Sequence, residues 1–341
     1  MNISDRRRLG RTELFLPVVG VGVCPLGDLF EAIPESEASR TLETAWDEGI
    51  RYFDAAPWYG LGQGEHRVGR ALYRRPRGDY ALSTKVGRLL RAPRDRADIR
   101  PAPWRGGLRF DHVYDYTYDG VLRSYEDSLQ RLGINQVDIL YIHDLDRGYF
   151  PDETDLLAKL KELENGGFRA LEELKAAGEI KAFGAGINEA GMIGRFLDRH
   201  PLDVFLVASR YTLLEQDIYA DELLRAAEAG AGVVIGGVFN SGILATGVTD
   251  AARYEYGKAP AKVIDRVRAL ETTARRHGVP LAAVALQFPL AFKAVASVLF
   301  GPSNPTEVGA NVRCLQTPIP SDLWRDLRRS GLLPDDIPTP E

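Results

Sequence analysis

The feature that most limits how this chain can fold is a regular alternation of short apolar segments with longer amphipathic ones. The apolar segments have the length and composition of buried parallel strands, and the amphipathic ones have helical spacing. The predicted strands are residues 18–23, 51–55, 80–86, 137–143, 182–187, 204–209, 233–239 and 295–300. The predicted helices are residues 36–48, 65–72, 120–132, 167–177, 190–199, 220–229, 261–277 and 305–311. Eight strands alternating with eight helices predict an α/β fold, the (β/α)8 TIM barrel, because open doubly wound sheets usually stop at about six strands.

Three segments interrupt or precede this alternation. Residues 6–16, which turn at Gly10-Arg11-Thr12, predict an N-terminal hairpin. Residues 87–119 and 148–165 are long insertions that each follow a predicted strand. Loops longer than about 12 residues in a compact domain are usually functional, so we expect both to lie over the C-terminal rim of the barrel. No linker divides the chain, and residues 1–341 are therefore predicted to form a single domain.

Composition and charge exclude several classes of protein. A net charge of -5 gives no basic surface for nucleic acid or acidic membranes. No apolar run approaches the roughly 18 residues of a membrane span, and residues 1–11 are too polar for a secretory signal, so a cytoplasmic protein is predicted. Cys24 and Cys314 are too isolated for a disulfide framework or zinc site, and we interpret both as small buried hydrophobic residues. The five histidines lack metal-site spacing, so no metal is predicted.

Chemically active side chains follow three of the predicted strands. Asp54 ends one strand, Lys85 and His143 end two others, and Tyr59 lies on the turn just after Asp54. The carboxyl ends of parallel strands meet at one rim, so these four groups are expected to converge there. Only 8 of the 43 basic residues are lysine, which makes a lysine at the end of an apolar strand unusual in this chain.

These four residue types can perform acid–base catalysis together. Asp54 would hold the ammonium of Lys85, which in turn would lower the pKa of Tyr59 below its ordinary value of about 10. Tyr59 would then act as general acid or base, while His143 orients a carbonyl or hydroxyl group. Each residue alone has a purely structural alternative: a salt bridge at the barrel end, a packed loop aromatic, or a buried histidine. The convergence of all four favours the catalytic interpretation.

The segments that carry these residues resemble a known family. Residues 53–60 (FDAAPWYG), 83–87 (STKVG) and 141–144 (YIHD) are similar to the core motifs of the aldo-keto reductase superfamily, and the similarity extends over nearly the whole chain. The resemblance implies a (β/α)8 barrel with a hairpin over its bottom and a nicotinamide cofactor bound without a Rossmann fold. It also implies a catalytic tetrad, which falls on Asp54, Tyr59, Lys85 and His143.

Cofactor-binding positions follow from the same resemblance. The family is implied to hold the nicotinamide carboxamide with an asparagine after strand five and with residues at the end of strand six. In this chain these positions are Asn188, Ser209 and Arg210. At Arg210 the chain departs from the usual Asn or Gln. The loop after strand seven is implied to bring backbone N–H groups to the pyrophosphate. The loop and helix after strand eight are implied to hold the adenosine. The residues at these last two places are Phe239, Asn240, Ser241, Gly242, Leu244, Gly301, Ser303, Glu307 and Asn311.

The adenosine loop predicts a preference between the two nicotinamide dinucleotides. Family members that prefer NADP place Lys or Arg there, whereas this chain has Gly301 and Glu307. A carboxylate repels a 2′-phosphate but accepts a hydrogen bond from a free ribose hydroxyl. NAD is therefore the predicted cofactor, with NADP use possible.

Further segments narrow the resemblance to one branch of the family. Residues 9–12, 24–27, 118–121 and 142–146 are similar to D-threo-aldose 1-dehydrogenases, which act on L-fucose or galactose, and to pyridoxal 4-dehydrogenases. Both oxidise a cyclic hemiacetal to a lactone. Trp58, Trp104 and Asp144 are the candidate substrate contacts, with Asp146 as a second acidic group and Tyr114 and Tyr116 as further aromatics. An aldose 1-dehydrogenase is predicted; the alternatives are a pyridoxal 4-dehydrogenase, an aldehyde or ketone reductase, and a non-enzymatic redox-sensing subunit. The oligomeric state is not predicted.

Overall fold

The computed structural model describes residues 1–94 and 103–340 and contains a closed parallel barrel. Its strands are β1 (Arg6–Arg8), β2 (Phe15–Pro17), β3 (Val19–Gly22), β4 (Tyr52–Asp54), β5 (Ala81–Val86), β6 (Arg88–Arg91), β7 (Asp111–Tyr114), β8 (Ile139–His143), β9 (Ala182–Ile187), β10 (Val204–Ala208), β11 (Gly232–Gly236), β12 (Arg253–Tyr254), β13 (Gly257–Lys258) and β14 (Val295–Phe300). The barrel order is β3-β4-β5-β8-β9-β10-β11-β14, and β14 pairs with β3 to close it. These eight strands are the eight that the apolar runs predict, so the TIM-barrel prediction is confirmed.

Helices follow the barrel strands and cover their outer faces. They are α1 (Glu35–Asp47), α2 (Gln63–Leu72), α3 (Tyr118–Leu132), α4 (Glu153–Glu162), α5 (Phe168–Ala176), α6 (Met192–Leu197), α7 (Leu224–Glu228), α8 (Ile243–Thr246), α9 (Ala261–Arg276), α10 (Leu281–Gln287), α11 (Pro305–Gln316) and α12 (Ser321–Arg329). Each of the eight predicted helices overlaps one of these. The short α8, together with α10 and α12, was not predicted, and α4 lies where the sequence predicts an insertion.

The insertion at residues 148–165 is mainly helical. Helix α4 continues through a π-helical segment, Leu163–Gly167, directly into α5. The pair Gly166-Gly167 resembles a helix stop in the sequence, but the glycines serve close packing. A Cβ atom at Gly167 would lie 2.2 Å from the backbone oxygen of Tyr116. The prediction of a loop was wrong there because glycine marks a close contact as well as a turn.

The insertion at residues 87–119 begins and ends as a two-stranded ribbon. Strands β6 and β7 pair antiparallel, Arg88 opposite Tyr114 and Arg91 opposite Asp111. Residues 95–102 of this insertion lie outside the described residues. The part from Trp104 onward packs against Leu29 and Leu61 at the rim, which agrees with the predicted position of the insertion.

The N-terminal hairpin closes the end of the barrel opposite to that rim. Strands β1 and β2 pair antiparallel, as predicted. Leu9, Leu14 and Leu16 of the hairpin are buried in one apolar cluster with the inward side chains of Tyr52 and Tyr141 near the bottom of the barrel. Water is therefore excluded from this end, and the rim at the carboxyl ends of the strands is left as the open face.

Across the residues that the structure describes, no helix is long and apolar enough to cross a membrane. Within the same ranges, no group of three or more His, Cys, Asp or Glu side chains is arranged to hold a metal ion.

Candidate active site

A cavity of about 1200 Å³ opens at the carboxyl ends of the barrel strands, and the four predicted catalytic residues all line it. Asp54 is the last residue of β4, Lys85 lies near the end of β5, and His143 ends β8. Tyr59 follows β4 on a turn held by a hydrogen bond from Gly64 N to its backbone oxygen. The structure thus brings together four residues that are as many as 89 positions apart in the sequence.

Lys85 and Asp54 form a buried ion pair on the floor of the cavity. The ammonium donates to Asp54 Oδ2 at 2.6 Å and to the backbone oxygen of Ala55 at 2.9 Å. Both side chains are almost completely shielded from water, at 2% and 3% exposure. Two strong acceptors therefore fix the position of Nζ, which lies 4.8 Å from the centre of the Tyr59 ring.

A chain of hydroxyl groups supports this ion pair from inside the barrel, and the sequence analysis missed it. Ser83 Oγ donates to Asp54 Oδ1 at 2.7 Å. The hydroxyl of Tyr52 contacts Ser83 Oγ at 3.1 Å and the hydroxyl of Tyr141 at 3.2 Å. The signal was present, because Tyr52 precedes Asp54 by two residues and so points to the same side of β4. We named only residues at strand ends, and these hydroxyls lie deeper.

The protonation of Tyr59 differs from the expectation. Burial raises the pKa of Tyr59 well above its ordinary value, and the negative charges of Asp54 and Asp144 add to this. The expectation that Lys85 lowers this pKa is wrong for the protein without its cofactor. The reason is that Asp54 already balances the ammonium of Lys85, so burial decides the direction.

His143 is held in its neutral form. Burial lowers its pKa well below the ordinary value, and the positive charges of Arg88 and Lys85 lower it further. Its Nε2 lies 3.2 Å from Asp144 Oδ2, close enough for the two groups to interact electrostatically. Tyr116 fixes the backbone here, because its hydroxyl donates to the His143 carbonyl oxygen at 2.8 Å.

The candidate substrate residues Trp58, Trp104 and Asp144 line the same cavity. The two indole rings meet edge to face with centroids 5.7 Å apart, and Trp104 also lies 6.1 Å from the Tyr59 ring. Trp104 is 4% exposed, and its Nε1–H is buried without a partner among the described residues. An aromatic wall with a free N–H donor therefore stands beside Tyr59.

Three other residues named as possible substrate contacts do not line the cavity. Asp146 is fully buried and accepts hydrogen bonds from the backbone N–H of Asn188 and of Gly148. Tyr116 is committed to the His143 backbone, and Tyr114 packs edge to face on Phe150. These residues support the site from behind, and the expectation that they face the substrate was wrong.

Most of the predicted cofactor residues line a second part of the cavity. This part runs along the ends of β9, β10, β11 and β14 to the first turns of α11. The predicted residues that line it are Asn188, Ser209, Phe239, Ser241, Gly242, Gly301, Ser303, Glu307 and Asn311.

Three predicted cofactor residues do not line the cavity: Arg210, Asn240 and Leu244. Arg210 Nε donates to the backbone oxygen of Asn188 at 2.6 Å, and its Nη1 forms an ion pair with Glu255 at 2.6 Å. It therefore fixes the ribbon β12–β13 to the end of β9 and is not placed to bind a carboxamide. Leu244 is part of the core, and Asn240 Nδ2 donates to the backbone of Ser209.

The loop after β11 also differs from the expectation of free backbone donors. The N–H groups of Asn240, Gly242 and Leu244 donate to Gly237 and Phe239 oxygens within the loop. These three donors are therefore used by the turn itself. Gly242 still leaves open space at its surface, since a Cβ atom there would meet nothing within 4 Å.

The two cysteines line the cavity and are half-buried, so the interpretation as buried core residues was wrong. Burial raises the pKa of Cys24 to about 12, with Lys85 opposing and Asp144 reinforcing the shift. The thiol therefore stays protonated and is a poor nucleophile.

Residues 18–330 match the family model described as the aldo/keto reductase family. This chain belongs to that family. It is 43% identical over 341 residues to a pyridoxal 4-dehydrogenase of Microbacterium luteolum, covering 98% of this chain and 99% of the relative. It is 40% identical over 332 residues to a D-threo-aldose 1-dehydrogenase of a Pseudomonas species, covering 94% and 96%. Among solved structures, the holo form of the aldo-keto reductase AKR11C1 from Bacillus halodurans superposes with a TM-score of 0.71 at 26% identity, covering 95% of each chain.

Members of this family generally use NAD(P)H, and the cavity of this aldo-keto reductase fits such a group. The cavity extends from the tetrad to the N-terminus of α11, a twelve-residue helix whose first N–H groups favour negative charge. Ser303 and Asn311 supply polar groups there, and Gly242 leaves room for a close approach. A bound nicotinamide would accept or deliver the hydride.

Proposed function

We propose that this aldo-keto reductase oxidises the C1 hemiacetal of an aldose such as L-fucose to a lactone, with NAD as hydride acceptor. The single observation that carries the proposal is the position of Asp144, a carboxylate that lines the cavity beside the catalytic His143. Tyr59 would accept the proton of the anomeric hydroxyl while Nε2 of His143 faces the oxygen that becomes the carbonyl. Asp144 would then accept a hydrogen bond from the neighbouring hydroxyl of the sugar.

The surroundings of Asp144 support this role. Asn188 Nδ2 donates to its Oδ1 at 2.8 Å, and Arg88 Nη2 donates to its Oδ2 at 2.8 Å. A carboxylate has about four acceptor positions, so at least one remains for a substrate hydroxyl. A substrate without a hydroxyl group at this position would leave the buried carboxylate without a hydrogen-bond donor, so the site should discriminate against such substrates. In a cyclic aldose, the hydroxyl on C2 next to C1 is such a donor.

A pyridoxal 4-dehydrogenase is the second candidate, and two observations favour it. The relative that carries this name is 43% identical over almost the full length. The facing pair Trp58 and Trp104 would also stack on a flat pyridine ring. Against it, the hydroxyl on the pyridine ring ionises readily, and a phenolate beside Asp144 would be repelled by like charge.

The test is NADH formation by the purified protein with L-fucose, L-galactose, D-arabinose and pyridoxal, each compared by kcat/KM. We expect the sugars to be oxidised with the higher kcat/KM. The variant Asp144→Asn should raise KM for the sugar by about tenfold to a hundredfold, the cost of one hydrogen bond to a charged group. Turnover of pyridoxal alone would assign the second activity, and turnover of none would reject both.

We further propose that Glu307 gives a preference for NAD over NADP. Its Oε2 accepts from the backbone N–H of Ser303 at 2.8 Å, and its Oε1 accepts from Asn304 Nδ2 at 2.9 Å. Asn304 in turn caps the helix through the Glu307 N–H, so the two residues form a reciprocal capping pair at the start of α11. These bonds fix the carboxylate at the start of α11, and on this proposal its negative charge would repel the 2′-phosphate of NADP.

This preference can be measured with one conservative variant. We expect kcat/KM for NAD to exceed that for NADP by about a hundredfold, because like charges in contact cost several kcal/mol. Glu307→Gln removes the charge but keeps an acceptor for the capping pair, so the ratio should fall by about tenfold or more while the melting temperature stays nearly constant. An unchanged ratio in Glu307→Gln would contradict the assignment.

A further inference from the structure

We propose that Arg88 is a positioning residue of this site, acting on the substrate and on His143 through the carboxylate of Asp144. Arg88 lies at the first position of β6, three residues after Lys85, and its side chain is completely shielded from water. It does not line the cavity, so it acts through another group and does not itself contact the substrate. This inference deepens the proposed function and rests on it for the role of Asp144 in substrate binding.

The geometry of Arg88 holds it in one place. Its guanidinium carbon lies 4.2 Å from the ring centre of Tyr149, 4.9 Å from that of Trp58 and 5.2 Å from that of Tyr114. One nitrogen, Nη2, reaches Asp144 Oδ2 at 2.8 Å, while Nε and Nη1 have no hydrogen-bond partner among the described residues. The aromatic faces offset part of the cost of burying the cation. Among the described residues, the hydrogen bond that the guanidinium donates goes to Asp144.

The turn before Arg88 explains why the ribbon starts there. Gly87 has φ of +99°, and a Cβ atom at this position would lie 2.1 Å from the Tyr116 ring. Only glycine allows the chain to turn there, so β5 ends at the cavity floor and Arg88 is placed beneath Asp144. Asp144 itself has φ of +46°, a left-handed conformation that is rare for residues with a side chain. The ion pair thus joins the residue after a glycine turn to a residue held in a left-handed conformation.

Removing Arg88 has two consequences for its neighbours. Asp144 would be a buried carboxylate whose remaining side-chain donor is the neutral amide of Asn188, so it would move or take up a proton. His143 would lose the strongest electrostatic repulsion against its protonated form, and its pKa would rise. The first change removes the ionised acceptor that the proposed function needs, and the second favours a charged imidazole over the neutral one.

Several charged and titratable groups face His143 and enter the same balance. They are Asp54 and Tyr59 from β4 and its turn, Lys85 from β5, Arg88 from β6, His112 and Tyr114 from β7, Tyr116 before α3, Asp144 and Tyr149 after β8, Cys24 after β3, and Tyr256 from the ribbon β12–β13. Of these, Arg88 is the one that contacts Asp144 directly with a full positive charge. Removal of Arg88 should therefore change the pKa of His143 in a way that a general loss of order in the site would not.

The test compares Arg88→Met, Asp144→Asn and the double variant. With whichever substrate the enzyme oxidises, Arg88→Met should lose about a hundredfold in kcat/KM, mostly through KM, while the dissociation constant for NAD stays within about twofold. The double variant should be no worse than the worse single variant, because the two residues act as one unit. Losses that multiply in the double variant would overturn the proposal.

A second measurement does not depend on turnover. Titration of ¹⁵N-histidine signals by NMR, with His143→Gln to assign the signal, should show that Arg88→Met raises the pKa of His143, because the repulsion from the guanidinium is lost. Arg88→Lys keeps the charge and should keep His143 neutral, although it lacks the planar contacts of arginine. An unmoved His143 titration in Arg88→Met would overturn the proposal even if no substrate in the panel is oxidised. If none of the tested substrates is oxidised, the titration of His143 still tests the role of Arg88.

Controls separate this effect from loss of structure. Arg91→Met is matched in chemistry and lies on the same strand, but its partner is the exposed Asp111; it should change neither kcat/KM nor the His143 titration. The double variant Arg88→Met/Asp144→Asn leaves no unpaired buried charge. If Arg88→Met does not fold, this double variant takes its place in the NMR comparison.

Discussion

Replacing Tyr59 by phenylalanine should lower kcat for substrate oxidation by about a thousandfold, the usual contribution of a positioned acid or base. The change removes one oxygen atom from a side chain that lines the cavity and leaves its ring packed at 5.8 Å from His143. KM and the dissociation constant for NAD should therefore change little. Initial rates under saturating substrate, with direct measurement of NAD binding, check this expectation.

The pH dependence gives a second view of the same residue. Burial raises the pKa of Tyr59, so the phenol remains protonated at neutral pH. Oxidation needs the deprotonated form, and its fraction grows about tenfold per pH unit below the pKa, so the oxidation rate should rise with pH. Reduction in the opposite direction needs the protonated form and should be flat near neutral pH.

Tyr125→Phe is the matched control for Tyr59→Phe. Tyr125 lies on helix α3, outside the barrel, and its hydroxyl donates to Glu179 Oε2 at 3.0 Å. We expect this variant to keep the rate and the pH profile of the parent protein. Comparable activity in Tyr59→Phe and Tyr125→Phe would remove Tyr59 from the catalytic role.

Replacing Lys85 by methionine should affect both stability and activity. Asp54 would remain as a buried carboxylate with Ser83 as its donor, and breaking a buried ion pair in this way costs about 3–5 kcal/mol in the free energy of unfolding. The activity should fall below detection, because methionine removes the ammonium group that lies 4.8 Å from the centre of the Tyr59 ring. Urea denaturation and initial rates measure the two effects.

The double variant Lys85→Met/Asp54→Asn separates these effects. It leaves no unpaired charge in the interior, so much of the lost stability should return while activity does not. Lys175→Met breaks the partly exposed ion pair between Lys175 and Asp203 and serves as control, with a loss of about 1 kcal/mol or less and normal activity. Recovery of activity in the double variant would show that the ion pair only stabilises the barrel.

The sequence predicted the barrel because each strand is a short apolar run that is buried on both faces. Such runs, from β3 to β14, have no competing interpretation once turn residues bound them. The tetrad was also accessible, since Asp54, Lys85 and His143 end their strands and parallel strands bring their ends together. Residues at the ends of strands can therefore be placed in the fold from the local sequence pattern and the barrel topology alone.

The sequence did not reveal properties that depend on distant side chains. The role of Arg88 depends on three aromatic rings and on Asp144, 56 residues further along the chain. The raised pKa of Tyr59 depends on how deeply the ring is buried and on the balance of charges around it. Arg210 was named from its position after β10, yet its partner Glu255 lies in a ribbon that the apolar pattern does not mark.

The closed bottom of the barrel has a consequence for proton movement. The hydroxyls of Ser83, Tyr52 and Tyr141 lead away from Asp54, but they end in the apolar cluster that contains the buried leucines of the N-terminal hairpin. This series of hydroxyls can orient dipoles toward the ion pair without carrying protons to bulk water. A proton taken from the substrate by Tyr59 therefore has to leave through the same opening by which the substrate enters.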